Sequence, residues 1–377
     1  MLLRRIPDRN IWTIYGAILL LGIAYGVSIA VLAIHLDKHA IPKLAMGGLA
    51  AAFGLGIVTF SIPAGIFVQR FGAKRTMAIA LAGYAVCVSA FPFLTTTTAL
   101  SAARFFDGAF SVSIWVAAET ALLARSDATN KAFVMSLYAM SIAVGYVLGP
   151  LLATAVVTLF GTGGSFVAAG ILASIAAVVV AARFEPSSRE RSDAHAAEPG
   201  DGRPAPALEV LWKTKTSCLG TFTYGYFQAS VVLFLPLFLI EQKGVAEEKT
   251  ILITAFFAAG MLTSSALVSR LGDRYGHLLV MRLLGAIGGT MVASFVLLDS
   301  FAMMCAAVFV AGATLASISP VSLALQGVIM PKRDLGRANA FYNAAYAAGM
   351  LLGPPSRVKR TLEIGGPRSI PAAYAAL

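Results

Sequence analysis

Five residues within one apolar stretch carry the side chains best able to bind or move charge: Arg104, Asp107, Ser111, Trp115 and Glu119. Arg104, Gly108, Ser111, Trp115 and Glu119 follow one another at intervals of four, three, four and four residues, which puts them on one stripe of a helix. Asp107 lies one turn from Arg104, close enough to pair with it. A charge at the centre of a bilayer costs at least about 2.5–3.5 kcal/mol, so charges kept in such a stretch mark function by default. Base, acid, hydroxyl and indole together suit the wall of a water-filled cavity that handles a polar solute, and Asp107 and Glu119 are the titratable groups to which a proton could be coupled. The opposing reading makes Arg104–Asp107 a structural pair at the outer interface and Glu119 a marker of the inner helix end. Weaker candidates for the same lining are Tyr25 and Ser28, Tyr224, Tyr226 and Gln228, Ser317 and Ser319 beside Pro320, and Tyr342 with Asn343. His35 and Asp37, at the end of the first apolar run, read as solvated.

The elements that must hold these residues are membrane-spanning helices. The 377 residues are 58% hydrophobic and only 12% charged, against about 45–50% and about 25% in soluble domains, so too little charge is present to make a polar skin. A span needs about 20 mainly apolar residues. Eleven runs qualify, near 11–34, 45–68, 76–96, 98–124, 132–160, 164–183, 217–240, 250–269, 278–298, 300–330 and 338–353. The first follows Arg4, Arg5 and Arg9 but is too long for the apolar core of a signal peptide. The chain is therefore read as an all-α membrane protein: a six-helix bundle over 1–183, a hydrophilic cytoplasmic linker over 184–216, a second, incomplete bundle of about five helices over 217–354, and an atypical tail over 355–377.

Charge in the loops sets the orientation. With the N-terminus in the cytoplasm, the inner loops hold twenty Lys and Arg residues and the outer loops only Lys38, Lys43, Lys243 and Lys249. The net charge of +11 thus belongs to short loops at a membrane surface, and no nucleic-acid partner is expected. Cys87, Cys218 and Cys305 stand far apart and the four histidines are scattered, so neither a disulfide framework nor a metal site is expected, and no cofactor.

The chain repeats itself. Gly65, Gln69, Arg70, Gly72, Lys74 and Arg75 lie in the loop between the second and third runs; Ser269, Leu271, Asp273, Arg274 and Gly276 lie between the eighth and ninth, with Arg and Gly returning at an offset of 204 residues. Gly145-x-x-x-Gly149-Pro150 returns as Gly349-x-x-x-Gly353-Pro354, and Gly108 as Gly312, at the same offset. A duplicated half follows, and parallel repeats with a midplane site are a transporter architecture. Gly72 and Gly276 suit a left-handed or close-packed position. Arg70 and Arg274 could latch helix ends at the inner face, the Asp273–Arg274 pair better than the first copy, where Gln69 can form no charge pair; they could equally be anchors to the membrane surface. The Gly-x-x-x-Gly-Pro elements read either as static packing or as a hinge.

These residues resemble the major facilitator superfamily over about 10–354. Gly65, Arg70, Gly72 and Lys74 fit its loop signature, with Phe67, Gln69 and Ala73 departing from it. Arg104-x-x-Asp107-Gly108 is similar to its span-four motif, and Gly145-x-x-x-Gly149-Pro150 to a span-five motif associated with exporters. The resemblance implies two pseudo-symmetric helical bundles, a cavity lined by spans one, four, seven and ten, and secondary active transport of a small molecule by alternating access, proton-coupled and outward, by a monomer multiply spanning the cell inner membrane. The family usually has twelve spans. The tail from about Pro355 carries four bases and no further apolar run, and reads as a truncation or frameshift, or as the outer end of an eleven-span protein. A non-transporting sensor, assembly partner or inactive remnant is the alternative function. No phosphate-binding loop, nucleophile elbow or metal cluster points to an enzyme.

Overall fold

The structure, a computed structural model, describes residues 8–39, 41, 43–127, 129–185, 205–244, 247–295 and 297–352. Nine helices appear among them: α1 (Arg9–Lys38), α2 (Lys43–Ala90), α3 (Thr97–Arg125), α4 (Lys131–Arg183), α5 (Ala207–Lys243), α6 (Glu247–Tyr275), α7 (His277–Ser294), α8 (Phe301–Ile329) and α9 (Leu335–Leu352). Short 3-10 turns cover Phe91–Phe93 and Lys332–Asp334. No strand occurs among the described residues. This is what a chain without surrounding water must do, because only a helix satisfies its own backbone groups in hydrocarbon.

Two of the nine are double. Gly72 (φ 80°) interrupts α2 and Gly161 (φ 69°) interrupts α4, each in a region that an L side chain avoids. Gly276 (φ 98°), 204 residues after Gly72, makes the corresponding turn between α6 and α7. Counted with these breaks, eleven helical rods occupy the positions of the eleven apolar runs. Six of the helices are long and apolar enough to cross a bilayer, and α3 is the most enclosed of the six. Large apolar side chains face outward along them, among them Ile79, Val86, Leu159, Val178 and Leu283, as lipid requires.

Contacts group the chain into two compact units. One comprises Met1–Asp127, Leu137–Lys213 and Met330–Ala344; the other comprises Ala128–Ser136, Thr214–Ile329 and Ala345–Leu377. The first unit is built on α2 against α3. A methyl group on Gly108 would stand 2.1 Å from the Phe53 carbonyl oxygen, and one on Gly56 would stand 2.0 Å from that of Phe105, so the two helices meet backbone to backbone. The second unit repeats this between α6 and α8: Gly312 against the Phe257 carbonyl at 2.2 Å and Gly260 against that of Phe309 at 2.1 Å. All four partners are related by the 204-residue offset. The second unit's core is an apolar cluster that includes Met281, Leu284, Val292, Met304 and Leu315.

Two expectations are corrected. The hydrophilic linker expected over 184–216 gives way to helix at Ala207, where Glu209 and Lys213 pair across one turn at 2.7 Å. His35 is not solvated: it is 4% exposed, its Nδ1 lies 3.0 Å from the Thr162 hydroxyl, and Phe166 packs on its ring. Phe166 and Thr162 belong to the second rod of α4, so the sequence around His35 gave no sign of them. The side chain of Asp37 lies outside the described residues, as do Gly353, Pro354 and the tail.

Candidate functional site

The site grows out of α3. Thr96 caps it, its hydroxyl accepting from the Ala99 N–H at 3.3 Å, and from there the helix runs uninterrupted to Arg125. Arg104 and Asp107 form an ion pair through Nη1 and Oδ2. The Arg104 guanidinium also stands over the Phe53 ring, 4.5 Å from its centroid, and the other Asp107 oxygen accepts from the Ser111 hydroxyl at 3.3 Å. Both oxygens of Asp107 are thus engaged and Asp107 is buried, while the Arg104 Nε is left unpaired. A small recess opens onto them, lined by Ser28, Ile29, Cys87 and Phe91, with room for about one water-sized group.

One turn along the stripe, aromatic rings gather on Tyr25. Tyr84 meets it edge-on with centroids 5.1 Å apart, Trp115 at 6.3 Å, and Tyr146 stacks on it at 6.2 Å with planes 17° apart. The Tyr25 hydroxyl lies toward Ser111 and that of Tyr84 toward Ser28, neither with the geometry of a complete hydrogen bond. Tyr25 and Tyr84 are buried, Trp115 is half-buried, and Tyr146 is 40% exposed.

At the far end of the stripe, Glu119 is 5% exposed and makes no ion pair among the described residues. Its Oε2 accepts from the Asn343 amide of α9 at 2.7 Å, and Asn343 also donates to the Asn339 carbonyl. One residue on, Thr120 accepts from the Asn339 amide at 2.9 Å. Two consecutive residues of α3 therefore hold two residues of α9 one turn apart. A buried carboxylate held only by a neutral amide is an expensive arrangement in an apolar span, and the chain keeps it.

In the second unit, Tyr224 stacks on Tyr346 with centroids 5.9 Å apart, and the Tyr346 hydroxyl donates to Gln228 at 2.8 Å. Apart from Arg183 and Arg282 near run ends, Arg104, Asp107 and Glu119 are the only charged residues in the eleven apolar runs.

The loop residues take a different arrangement from the one their charges suggest. Arg70 lies over Phe71 and Arg274 over Tyr275, both exposed; Arg75 is exposed and Lys74 half-buried. The partners that reach another element are the residues before them. Asp273 accepts from the Ala132 and Phe133 N–H groups at 3.0 Å each, at the start of α4, and from His277 at 3.2 Å. Arg270 lies over Phe133 at 4.2 Å. Gln69, at the equivalent position, donates to the Arg333 carbonyl at 3.3 Å and accepts from Arg337 at 3.4 Å, while Gly65 abuts the Gly336 carbonyl. Gly336 is the repeat counterpart of Ala132, so the two loop contacts are copies of one another.

The Gly-x-x-x-Gly element of α4 is a packing surface. A methyl group on Gly145 would fall 2.3 Å from the Gly22 backbone, and one on Gly149 would fall 2.5 Å from Gly26. The helix continues through Pro150 and turns only at Gly161. Gly349 abuts the Phe222 carbonyl in the same way. Sequence reading passed over Tyr84, Tyr146, Phe53, Asn339 and Tyr346. Asn339 and Tyr346 fall at helical spacing with Tyr342 and Asn343 and could have been found as one polar stripe; Phe53 and Tyr84 become visible only through the packing of α2.

Repeated helical units, charges confined to one enclosed helix and paired loop contacts define a polytopic membrane carrier. A profile of the Major Facilitator Superfamily matches residues 14–354, and the chain belongs to that family. It is 24% identical to an uncharacterized MFS-type transporter of Yersinia pestis (strain Pestoides F) over 350 residues, covering 92% of this chain and 87% of the relative. Its identity to the uncharacterized MFS-type transporter YcaD of Escherichia fergusonii is also 24%, over 93% and 88% of the two chains. Among solved structures, the human organic anion transporter MFSD10 (TETRAN) superposes with a TM-score of 0.77 at 13% identity, over 98% of this chain and 97% of that one. The transporter FucP in its outward conformation gives 0.76 at 16% identity, over 98% and 95%. The solved structures establish the fold, and membership of the family supports membrane transport.

Proposed function

We propose that this protein is a proton-coupled secondary transporter that exports a small molecule across the inner membrane by alternating access, as a monomer with a cytoplasmic N-terminus. The observation that carries the coupling is Glu119, a buried carboxylate without a cationic partner among the described residues, joined to α9 through Asn343. Gaining or losing a proton there changes the charge that α9 is held by, which is the differential contact a two-state cycle needs. Asp107, satisfied by Arg104 and Ser111, orders the stripe. Tyr25, Ser111 and Trp115 line the substrate's path, and Gly65, Gly72, Gly276 and Asp273 hold the loops in one state of the cycle. Export follows from the resemblance of the Gly145-x-x-x-Gly149-Pro150 element to exporter motifs, and orientation from the twenty-to-four loop charge ratio.

The experiment needs no known substrate. Spin labels at Arg75→Cys and Arg274→Cys, both exposed and in different units, are placed in the purified protein in lipid discs and their separations measured between pH 5 and 8. Two separations whose proportions move with pH, and no longer move in Glu119→Gln, are expected. A single separation at every pH refutes the carrier reading; two separations with the same pH response in Glu119→Gln refute the role of Glu119.

A further inference from the structure

Resting on the carrier reading, we infer that the substrate is a lipophilic organic cation, seated on the faces of Trp115 and Tyr146 between the two carboxylates of α3. The charge inventory comes first. The charged residues of the apolar runs, the two near run ends apart, are Arg104, Asp107 and Glu119. The charge of Arg104 is balanced by Asp107 and its guanidinium stands over the Phe53 ring, with Nε left unpaired. Glu119 is compensated by no cation among the described residues. With all three ionised the set carries one net negative charge, and in a low-dielectric setting that charge selects the sign of what may approach.

The aromatic geometry points the same way. Trp115 lies on the same stripe as both acids, at a rise of about 1.5 Å per residue about 6 Å from the level of Glu119 and about 12 Å from that of Asp107. Tyr146, 40% exposed, and Trp115, half-buried, are the reachable rings, and Tyr25 and Tyr84 back them from behind. Ring faces attract a cation, and organic ammonium groups are held by cages of this make-up. The Ser111 hydroxyl on this stripe is already given to Asp107. Among the described residues Glu119 meets the neutral Asn343 amide, and Tyr138 lies near it. A cation on Trp115 therefore shares Glu119 with the proton, and binding of one favours loss of the other.

The test uses two ions of equal size and shape and opposite sign. Binding of tetraphenylphosphonium and of tetraphenylborate is measured on the immobilised full-length protein, against protein-free detergent blanks, at pH 6 and 8. The cation is expected to bind saturably, about a hundredfold or more tighter than the anion, and more tightly at pH 8. Glu119→Gln, which keeps an acceptor for Asn343, is expected to weaken cation binding about tenfold or more and to remove its pH dependence. Tyr146→Ala is expected to weaken it about fivefold or more, with rescue by Tyr146→Phe. Equal or tighter binding of the borate, saturable binding of neither ion, or unchanged cation binding in Glu119→Gln each overturns the inference. The spin-label measurement judges the carrier reading separately, so a protein that alternates with pH yet prefers the anion keeps the one and loses the other.

Discussion

Removing one carboxylate should loosen the start of α4 while leaving its repeat counterpart at α9 unaffected. Asp273 is 7% exposed, and its two oxygens take the N–H groups of Ala132 and Phe133 at 3.0 Å each. The first four N–H groups of a helix have no partner within it. A side-chain acceptor there is worth about 0.5–2 kcal/mol, and a negative charge at the positive end of the helix adds about 0.3–1 kcal/mol. Two donors depend on this one carboxylate, so Asp273→Ala should cost about 2–3 kcal/mol locally, or about 30- to 150-fold in the opening equilibrium of that turn. Gln69 makes the corresponding contact with longer bonds of 3.3 and 3.4 Å from an exposed position, and Gln69→Ala should change the start of α9 about threefold or less. Amide hydrogen exchange, read by mass spectrometry on peptides spanning 129–140 and 333–342, separates the two. Asp273→Asn, which keeps one acceptor and loses the charge, should fall between. Exchange over 129–140 unchanged in Asp273→Ala, or an equal effect from Gln69→Ala at its own helix, would refute the argument that the second loop alone carries a charged cap.

Two further predictions follow from packing and charge. Gly108→Ala and Gly312→Ala should each destabilise the protein by about 1–3 kcal/mol, because the new methyl group meets backbone that cannot turn aside; lowered thermal unfolding midpoints in detergent should be similar for both, while Gly285→Ala, with open space around it, should be neutral or stabilising. Burial would raise the Asp8 carboxyl, but hydrogen bonds from Arg125 and Asn10 and the Arg125 charge outweigh it and hold it below its usual value. The folded state therefore prefers the ionised form. The pair's contribution is complete above the unfolded value of about 3.9 and is lost as the pH falls through the lower folded value. At its partly exposed position that contribution is about 0.5–1 kcal/mol at most, and unfolding midpoints of wild type and Asp8→Asn should differ at pH 6 and converge near pH 3.

The helical runs, the duplication and the α3 stripe were all legible in the sequence, because each rests on a local rule: apolar run length, a fixed offset, and the helical period. The Arg104–Asp107 pair was legible for the same reason, being one turn apart. What could not be read was any contact closed between distant elements. Glu119 showed as an isolated acid, and its partner Asn343 stands 224 residues away. His35 looked like a helix-end residue in water until Thr162 and Phe166 covered it. In the loops, the basic residues drew attention by charge, whereas the residues just before them make the cross-element bonds; Gln69 looked like a defect in the motif because a charge pair was sought where an amide contact forms.

Duplication has conserved geometry and let chemistry diverge. The close approaches Gly56–Phe105 and Gly108–Phe53 return as Gly260–Phe309 and Gly312–Phe257, so backbone packing is the part of the fold that tolerates no change. The side chains those helices present are under no such constraint. Every charge well inside the apolar runs is on α3, and its repeat counterpart α8 has none, carrying Val308, Ala311, Leu315, Ser319 and Leu323 at the positions of Arg104, Asp107, Ser111, Trp115 and Glu119. The charged loop cap is in the opposite half, at Asp273. A carrier that must couple a proton to a change of shape gains from this separation. If titrating groups stood on both halves, protonation would pull on each in turn. On the proposed coupling, a proton taken by Glu119 would act on α9, the element it holds.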